Sequence, residues 1–152
     1  MLSEITVRGK KYLEILNYIY QIQYDKDLLS KKIEPNFKED EEERYDILNR
    51  VNEQLIPLLK QDHNTRQACF SILYPNGLGH CISTVHILLR NNTIILNEYY
   101  RSQNCSINLE YDKQTACMII QEVLKHFPNY KSLITVFVAS YHKEIKWNLK
   151  SI

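Results

Sequence analysis

Glycine occurs only three times in the 152 residues, at Gly9, Gly77 and Gly79. Neither a dinucleotide fingerprint nor a P-loop can be written with so few, which argues against the common ATP and NAD chemistries. A strong charge of one sign is also missing. Nineteen Lys and Arg against eighteen Asp and Glu leave a formal net charge of +1, so the chain lacks the basic footprint of a general nucleic-acid binder while leaving room for a local phosphate site. No apolar run approaches the roughly 20 residues that a membrane-spanning helix needs. The opening Met1-Leu-Ser-Glu-Ile-Thr-Val-Arg carries charge where a signal peptide would be apolar, so a cytoplasmic protein with no membrane partner is expected. Cysteine is present but unpaired in pattern: Cys69, Cys81, Cys105 and Cys117 stand 12, 24 and 12 residues apart, with no C-x-x-C and no H-x-x-x-H nearby. That spacing argues against a metal site, and a reducing compartment argues against disulfides.

What is present is an ordinary globular composition, 44% hydrophobic and 24% charged, which predicts a single domain over residues 1–152. Tyr12, Leu13, Leu16, Ile19 and Tyr20 fall at helical spacing and predict a helix over residues 10–24. Residues 30–43 (SKKIEPNFKEDEEE) read as a solvated loop ending in a helix start, with Glu41, Glu42 and Glu43 at the positive end of the dipole. Tyr45, Leu48, Val51, Leu55, Leu58 and Leu59 describe a second helix, kinked or ended near Pro57. A short strand over 67–74 closes at Pro75-Asn76-Gly77. Two β-rich runs, 82–90 and 93–100, flank Asn91-Asn92, a pair suited to a tight hairpin turn. Ala116, Ile119, Ile120, Val123, Leu124 and Phe127 mark a further helix stopped by Pro128, and 133–139 (LITVFVA) a buried strand. Helices and strands in this order predict an α+β domain with helices flanking a mixed sheet.

The segment Gly77-Leu-Gly-His-Cys81 followed by Tyr99-Tyr-Arg-Ser102 carries the chemistry. A hairpin turning at Asn91-Asn92 brings Cys81 and Arg101 to one end of the sheet, where a cation favours the thiolate and can hold an anion. Cys81 also reads as a small buried hydrophobe and Arg101 as a surface residue. Arg66 is a phosphate contact or a solvated turn arginine, and His142 a ligand contact or a loop histidine. Asp112 is a site carboxylate or a helix cap. Glu14, among Leu13, Ile15 and Leu16, is a semi-buried or a solvated helix carboxylate.

The series Thr65-Arg-Gln-Ala, Cys81, Arg101-Ser102, Tyr111-Asp112 and Ser140-Tyr-His142 resembles the thymidylate synthase and pyrimidine-nucleotide hydroxymethylase family. The resemblance covers residues 43–146 and, more weakly, the segment around Glu14. It implies a mixed sheet used as the interface of a homodimer, with Arg101, Ser102 and a partner-reaching Arg66 on the 5′-phosphate of a pyrimidine nucleoside monophosphate. It further implies Cys81 as the nucleophile at C6, Glu14 as the acid/base, Asn104 and His142 as substrate contacts, and Asp112 reading the base. Aspartate there, where the thymidylate synthases carry asparagine, implies a cytosine nucleotide and hydroxymethylation at C5. Methylenetetrahydrofolate is the implied donor. Its anchoring aspartate is Asn104 here, the tyrosine expected after His142 is Glu144, and the chain reaches Ile152 without the closing segment, so a partner protein would have to supply what is missing. The alternatives are a non-catalytic nucleotide-binding or regulatory dimer and a ligand-free assembly subunit.

Overall fold

A computed structural model describes residues 1–73 and 79–146. The turn expected at Pro75-Asn76-Gly77 lies outside them. Six strands, β1 (Leu2–Val7), β2 (Lys10–Ile22), β3 (Cys69–Leu73), β4 (Gly79–Arg90), β5 (Thr93–Asn104) and β6 (Lys131–Glu144), form one sheet in the order β1-β2-β6-β5-β4-β3. All neighbours are antiparallel except β5 and β6, which are parallel because α4 (Leu109–Leu124) crosses over between them. The other helices are α1 (Lys26–Ser30), α2 (Lys38–Arg50) and α3 (Ile56–Gln61). The architecture is α+β, as the sequence predicts. Among the described residues no helix is long and apolar enough to cross a membrane.

The helix expected over residues 10–24 is instead a strand. Arg8 and Gly9 both take positive φ, 49° and 77°, and turn the chain in two residues so that Val7 faces Lys10. Tyr and Ile dominate the segment and favour a pleated surface, and its pairing with β6 overrides the helical spacing. The loop expected to run to residue 43 is shorter, because α2 already begins at Lys38. Pro57 is absorbed by a π-helical turn, Val51–Leu55, between α2 and α3. There the Ile56 N–H reaches back to the Val51 carbonyl, and the helix continues past a residue with no N–H to give. Tyr45, assigned to the apolar stripe by spacing, is 70% exposed, while Ile47 is buried.

The core lies on one face of the sheet. Ile47, Val51, Leu55 and Leu59 from the helical arm and Ile119, Ile120 and Val123 from α4 cover Ile82, Val85, Ile87, Ile94, Leu96, Ile134 and Val136. The opposite face is open and carries Leu16, Ile19, Tyr99 and Leu133, all exposed.

A break in side-chain alternation crosses four strands. Successive strand residues point to opposite faces, so two buried residues three apart require two consecutive residues on the open side. In β4 this happens between Ile82 and Val85, where the register with β5 shifts. Tyr100 and Gln103 are both buried in β5, with exposed Arg101 between them. In β6, buried Val138 is followed by Tyr141, which packs on the same core, and β2 crosses the line at Asn17 with φ 52°. Open-face pairs result: Arg101 with Ser102, and Ala139 with Ser140.

Candidate active site

The break explains how two adjacent residues serve one site. Without it, Arg101 and Ser102 would point to opposite faces of β5; with it, both line the same open-face depression of about 510 Å³. Cys81, exposed and one residue before buried Ile82, joins them: the Ser102 hydroxyl donates to Cys81 Sγ at 3.7 Å. Sequence spacing had placed Cys81 and Arg101 at one end of the hairpin, and the pairing of Ile82 with Tyr100 puts them there.

The same depression is lined by Arg8, Lys10, Tyr12, Glu14, Ser140 and His142. Glu14 faces His142 across β2 and β6, and its carboxylate accepts a short hydrogen bond from the Ser140 hydroxyl. His142 packs edge-on against Tyr12, with Nδ1 3.2 Å from the Ser140 carbonyl oxygen. Arg8 and Lys10 were not singled out from sequence. The signal was there, since an Arg-Gly pair between two alternating runs is a hairpin turn, and such a turn delivers its flanking cations to one end of a sheet.

Asp112 lies on the other side of the sheet, among the helices. Its side chain does not cap α4: it accepts from Gln103 Nε2 at 2.8 Å, and Gln103 Oε1 accepts from the Tyr20 hydroxyl at 2.7 Å. Burial is the main cause that pushes its carboxyl up to about 7; the Gln103 hydrogen bond opposes, Asp40 adds to the rise and Arg44 opposes it. Asp112, Glu43, Tyr100 and Ile82 line a cleft of about 20 Å³, room for one water. Its sheet wall is made by Ile82 and Tyr100, the chain neighbours of Cys81 and Arg101.

Glu43, expected to be solvated, turns into this cleft. It sits one helical turn before Ile47 and two before Val51, so extending the buried stripe of α2 backwards would have found it. Burial above all, with Asp40, Asp112 and Asp46 adding, pushes its carboxyl up to about 8 against the opposing charge of Arg101. Glu98, 1% exposed on β5, is pushed up to about 8 by burial and then by Asp112, and its Oε1 has no hydrogen-bond partner. Arg44 stacks 3.5 Å over the Tyr111 ring and donates to Thr115, Gln114 and the Tyr111 carbonyl, fastening α2 to α4 beside the cleft.

Arg66, expected to reach a partner's site, is not in this chain's own depression: its carbonyl oxygen meets His86 Nε2 at 3.2 Å, and His86 pairs with Cys69, so it sits well along β4 from Cys81. The Asn104 side-chain oxygen accepts from both the backbone N–H and the hydroxyl of Ser106, closing the turn before α4. Cys69, expected inside an apolar strand, is exposed, and Cys117 is buried.

No family model matches the chain, and no curated protein matches it in sequence. Among solved structures it is similar to thymidylate synthase from T4 phage, with a TM-score of 0.71 at 13% identity, over 94% of this chain and 72% of that one. At that identity the likeness is one of fold, and the six-stranded α+β sheet described above is thymidylate-synthase-like.

Proposed function

We propose that the chain binds a pyrimidine nucleoside monophosphate and modifies it at C5, with Cys81 as the nucleophile and a cytosine nucleotide preferred. The observation that carries this reading is the placing of Arg101 and Ser102 together on the open face, with the Ser102 hydroxyl 3.7 Å from Cys81 Sγ. An arginine and a hydroxyl on one face suit a phosphate, and Arg8 and Lys10 on the same depression add charge. Held there, the nucleotide presents its ring to Cys81. Sulfur adds to C6, the C5–C6 electron pair moves to C5, and C5 attacks a one-carbon electrophile at the oxidation level of formaldehyde. Loss of the C5 proton with expulsion of the thiolate restores the ring, leaving a hydroxymethyl group.

Glu43 takes the acid/base role first assigned to Glu14, because it lies in the Asp112 cleft and its carboxyl is held protonated near neutral pH. For Asp112 to read the exocyclic group, the ring must reach from the open-face depression past Cys81 and Arg101 to the cleft behind Ile82 and Tyr100. Asn104, committed to Ser106, does not fit a folate anchor, so no step is routed through methylenetetrahydrofolate. That commitment favours the second reading, a nucleotide-binding dimer without folate chemistry. In both, a second copy covers the open sheet face and receives Arg66.

Calorimetric titration with dCMP, CMP, dUMP and UMP tests the reading. Micromolar binding of a monophosphate that is lost without the phosphate is expected; no binding by any of the four removes it. Turnover of a bound nucleotide with formaldehyde then separates the enzyme from the binding module.

A further inference from the structure

Glu14 and His142 line the open-face depression from directly paired positions on β2 and β6, and Ser140 sets both of them. The Ser140 hydroxyl donates to Glu14 Oε2, which leaves Oε1. The Ser140 carbonyl oxygen lies 3.2 Å from His142 Nδ1. A carbonyl only accepts, so this partner assigns the proton of the neutral imidazole to Nδ1 and leaves a lone pair on Nε2. A carboxylate likewise only accepts. Among the described residues no cation pairs with Glu14; Lys10, on the same depression, goes to Glu144 at 3.8 Å. Two acceptor atoms, Glu14 Oε1 and His142 Nε2, therefore stand side by side with no protein donor among the described residues.

The phosphate contact is close by. Ser102 pairs with Ser140 in the parallel register of β5 and β6, so the Ser140–Glu14 hydrogen bond stands one strand spacing, about 4.8 Å, from Ser102. The sugar of a nucleotide hangs on its phosphate through one methylene, which brings its hydroxyls over this part of the depression. At about 510 Å³ the depression has the volume of a small-molecule site, and no group on the helix side of the sheet is involved.

Resting on the nucleotide reading above, we propose that Glu14 and His142 select the sugar: Glu14 Oε1 and His142 Nε2 each accept from one hydroxyl of a ribose cis-diol, so the substrate class is a pyrimidine ribonucleoside 5′-monophosphate. Ribose brings two donors from neighbouring carbons on one side of its ring, and the two acceptors face it from paired residues. A deoxyribose brings one donor and sets a methylene against the other acceptor, which then loses its water without replacement. Glu14 acts on the sugar in this arrangement, apart from the proton at the ring.

The test is calorimetric titration of the full chain with CMP, dCMP and 3′-deoxy-CMP at about pH 8, where an ordinary imidazole is neutral. CMP should bind about tenfold more tightly than either deoxynucleotide, the effect of one acceptor left unpaired. Glu14→Ala should bring one of these two ratios below about threefold and leave the other, and His142→Ala should do the reverse. Should one variant fail to fold, the other decides together with the wild-type ratios. Equal binding of CMP and dCMP by the wild type, or a preference for CMP that neither variant moves, overturns the inference and leaves the nucleotide reading standing. Failure of the wild type to bind any of the three removes both.

Discussion

Ser102 and Cys81 meet across β4 and β5: the hydroxyl donates to the sulfur at 3.7 Å, and because β5 breaks its alternation, Arg101 stays on the same face as Ser102. A regular β5 would have buried one of the pair. The break thus converts a dipeptide into a two-point anion contact beside a thiol.

If that contact holds a phosphate, Arg101→Ala should weaken monophosphate binding by about 10- to 150-fold, the worth of one charge-assisted hydrogen bond. Ser102→Ala should cost less, about fivefold, as a neutral hydrogen bond does. Cytidine should bind no better to the wild type than CMP does to Arg101→Ala. Titration calorimetry decides, and equal affinity of the wild type for cytidine and CMP removes the phosphate role.

Cys81 should be the thiol whose alkylation bound nucleotide slows. Cys117 is buried and shielded, and Cys69, although exposed, has its thiol pushed up by partial burial, which lowers its thiolate fraction. Peptide mapping after brief iodoacetamide treatment reads the order directly. Cys81→Ser should lose turnover altogether, and retained turnover would exclude covalent catalysis.

How much of this was legible beforehand differed by element. The hairpin at Asn91-Asn92 was, because two consecutive residues tolerant of positive φ, 49° and 54°, punctuate two β-rich runs. So was α4, whose apolar stripe is uninterrupted. β2 was not: Tyr12, Leu13, Leu16, Ile19 and Tyr20 satisfy helical spacing only because Asn17 breaks the strand's own period and shifts its apolar face by one residue. The same kind of break hid the shared face of Arg101 and Ser102. The burial of Asp112 was not legible, since the Tyr20–Gln103 chain that holds it joins residues 83 apart in sequence.

The buried carboxyls make stability depend on pH. Glu98 rises from its ordinary 4.5 to about 8, Glu43 from 4.5 to about 8 and Asp112 from 3.8 to about 7. Each binds its proton more tightly folded than unfolded. The stability this brings is complete below the ordinary carboxyl values and is lost as pH rises through the folded ones. The urea midpoint should therefore fall between about pH 5 and about pH 9. Glu98→Gln keeps the shape, removes one of the three ionisations and should flatten the fall. A midpoint that is level or rising over that interval in the wild type would contradict the burial of these groups.

The open face predicts association. Leu16 and Ile19 are 57% and 58% exposed on β2, and Leu133 and Tyr99 extend the apolar surface across β6 and β5. Light scattering at micromolar concentration should give a dimer, and Ile19→Lys or Leu133→Lys should shift it to monomer without lowering helix content. If Arg66 serves the partner's site, the monomeric variants should also bind nucleotide about tenfold more weakly, having lost one cationic contact. A monomeric wild type would remove the interface.

Two carboxyls compete for the acid/base role, and their surroundings separate them. Glu14 lies in the open depression, tied to the Ser140 hydroxyl and facing His142. Glu43 shares the cleft of Asp112, with burial and three neighbouring acids pushing it up to about 8. A group that must hand a proton to the ring and take it back works best with its pKa near the working pH, which Glu43 satisfies. Glu43→Gln should then lower turnover by about 10² to 10⁴, with nucleotide affinity changed by less than about threefold. Glu14→Gln should cost turnover less than about tenfold, its loss falling on orientation of the neighbouring Ser140 and His142. The pH profile gives an independent readout. The protonated Glu43 is the competent donor, so activity should decline as pH rises through about 8 in the wild type, and that limb should vanish from the residual activity of Glu43→Gln. If Glu14→Gln shows the large loss and removes the limb while Glu43→Gln shows neither, the proton is handled on the open face and the helix-side carboxyl is a structural group.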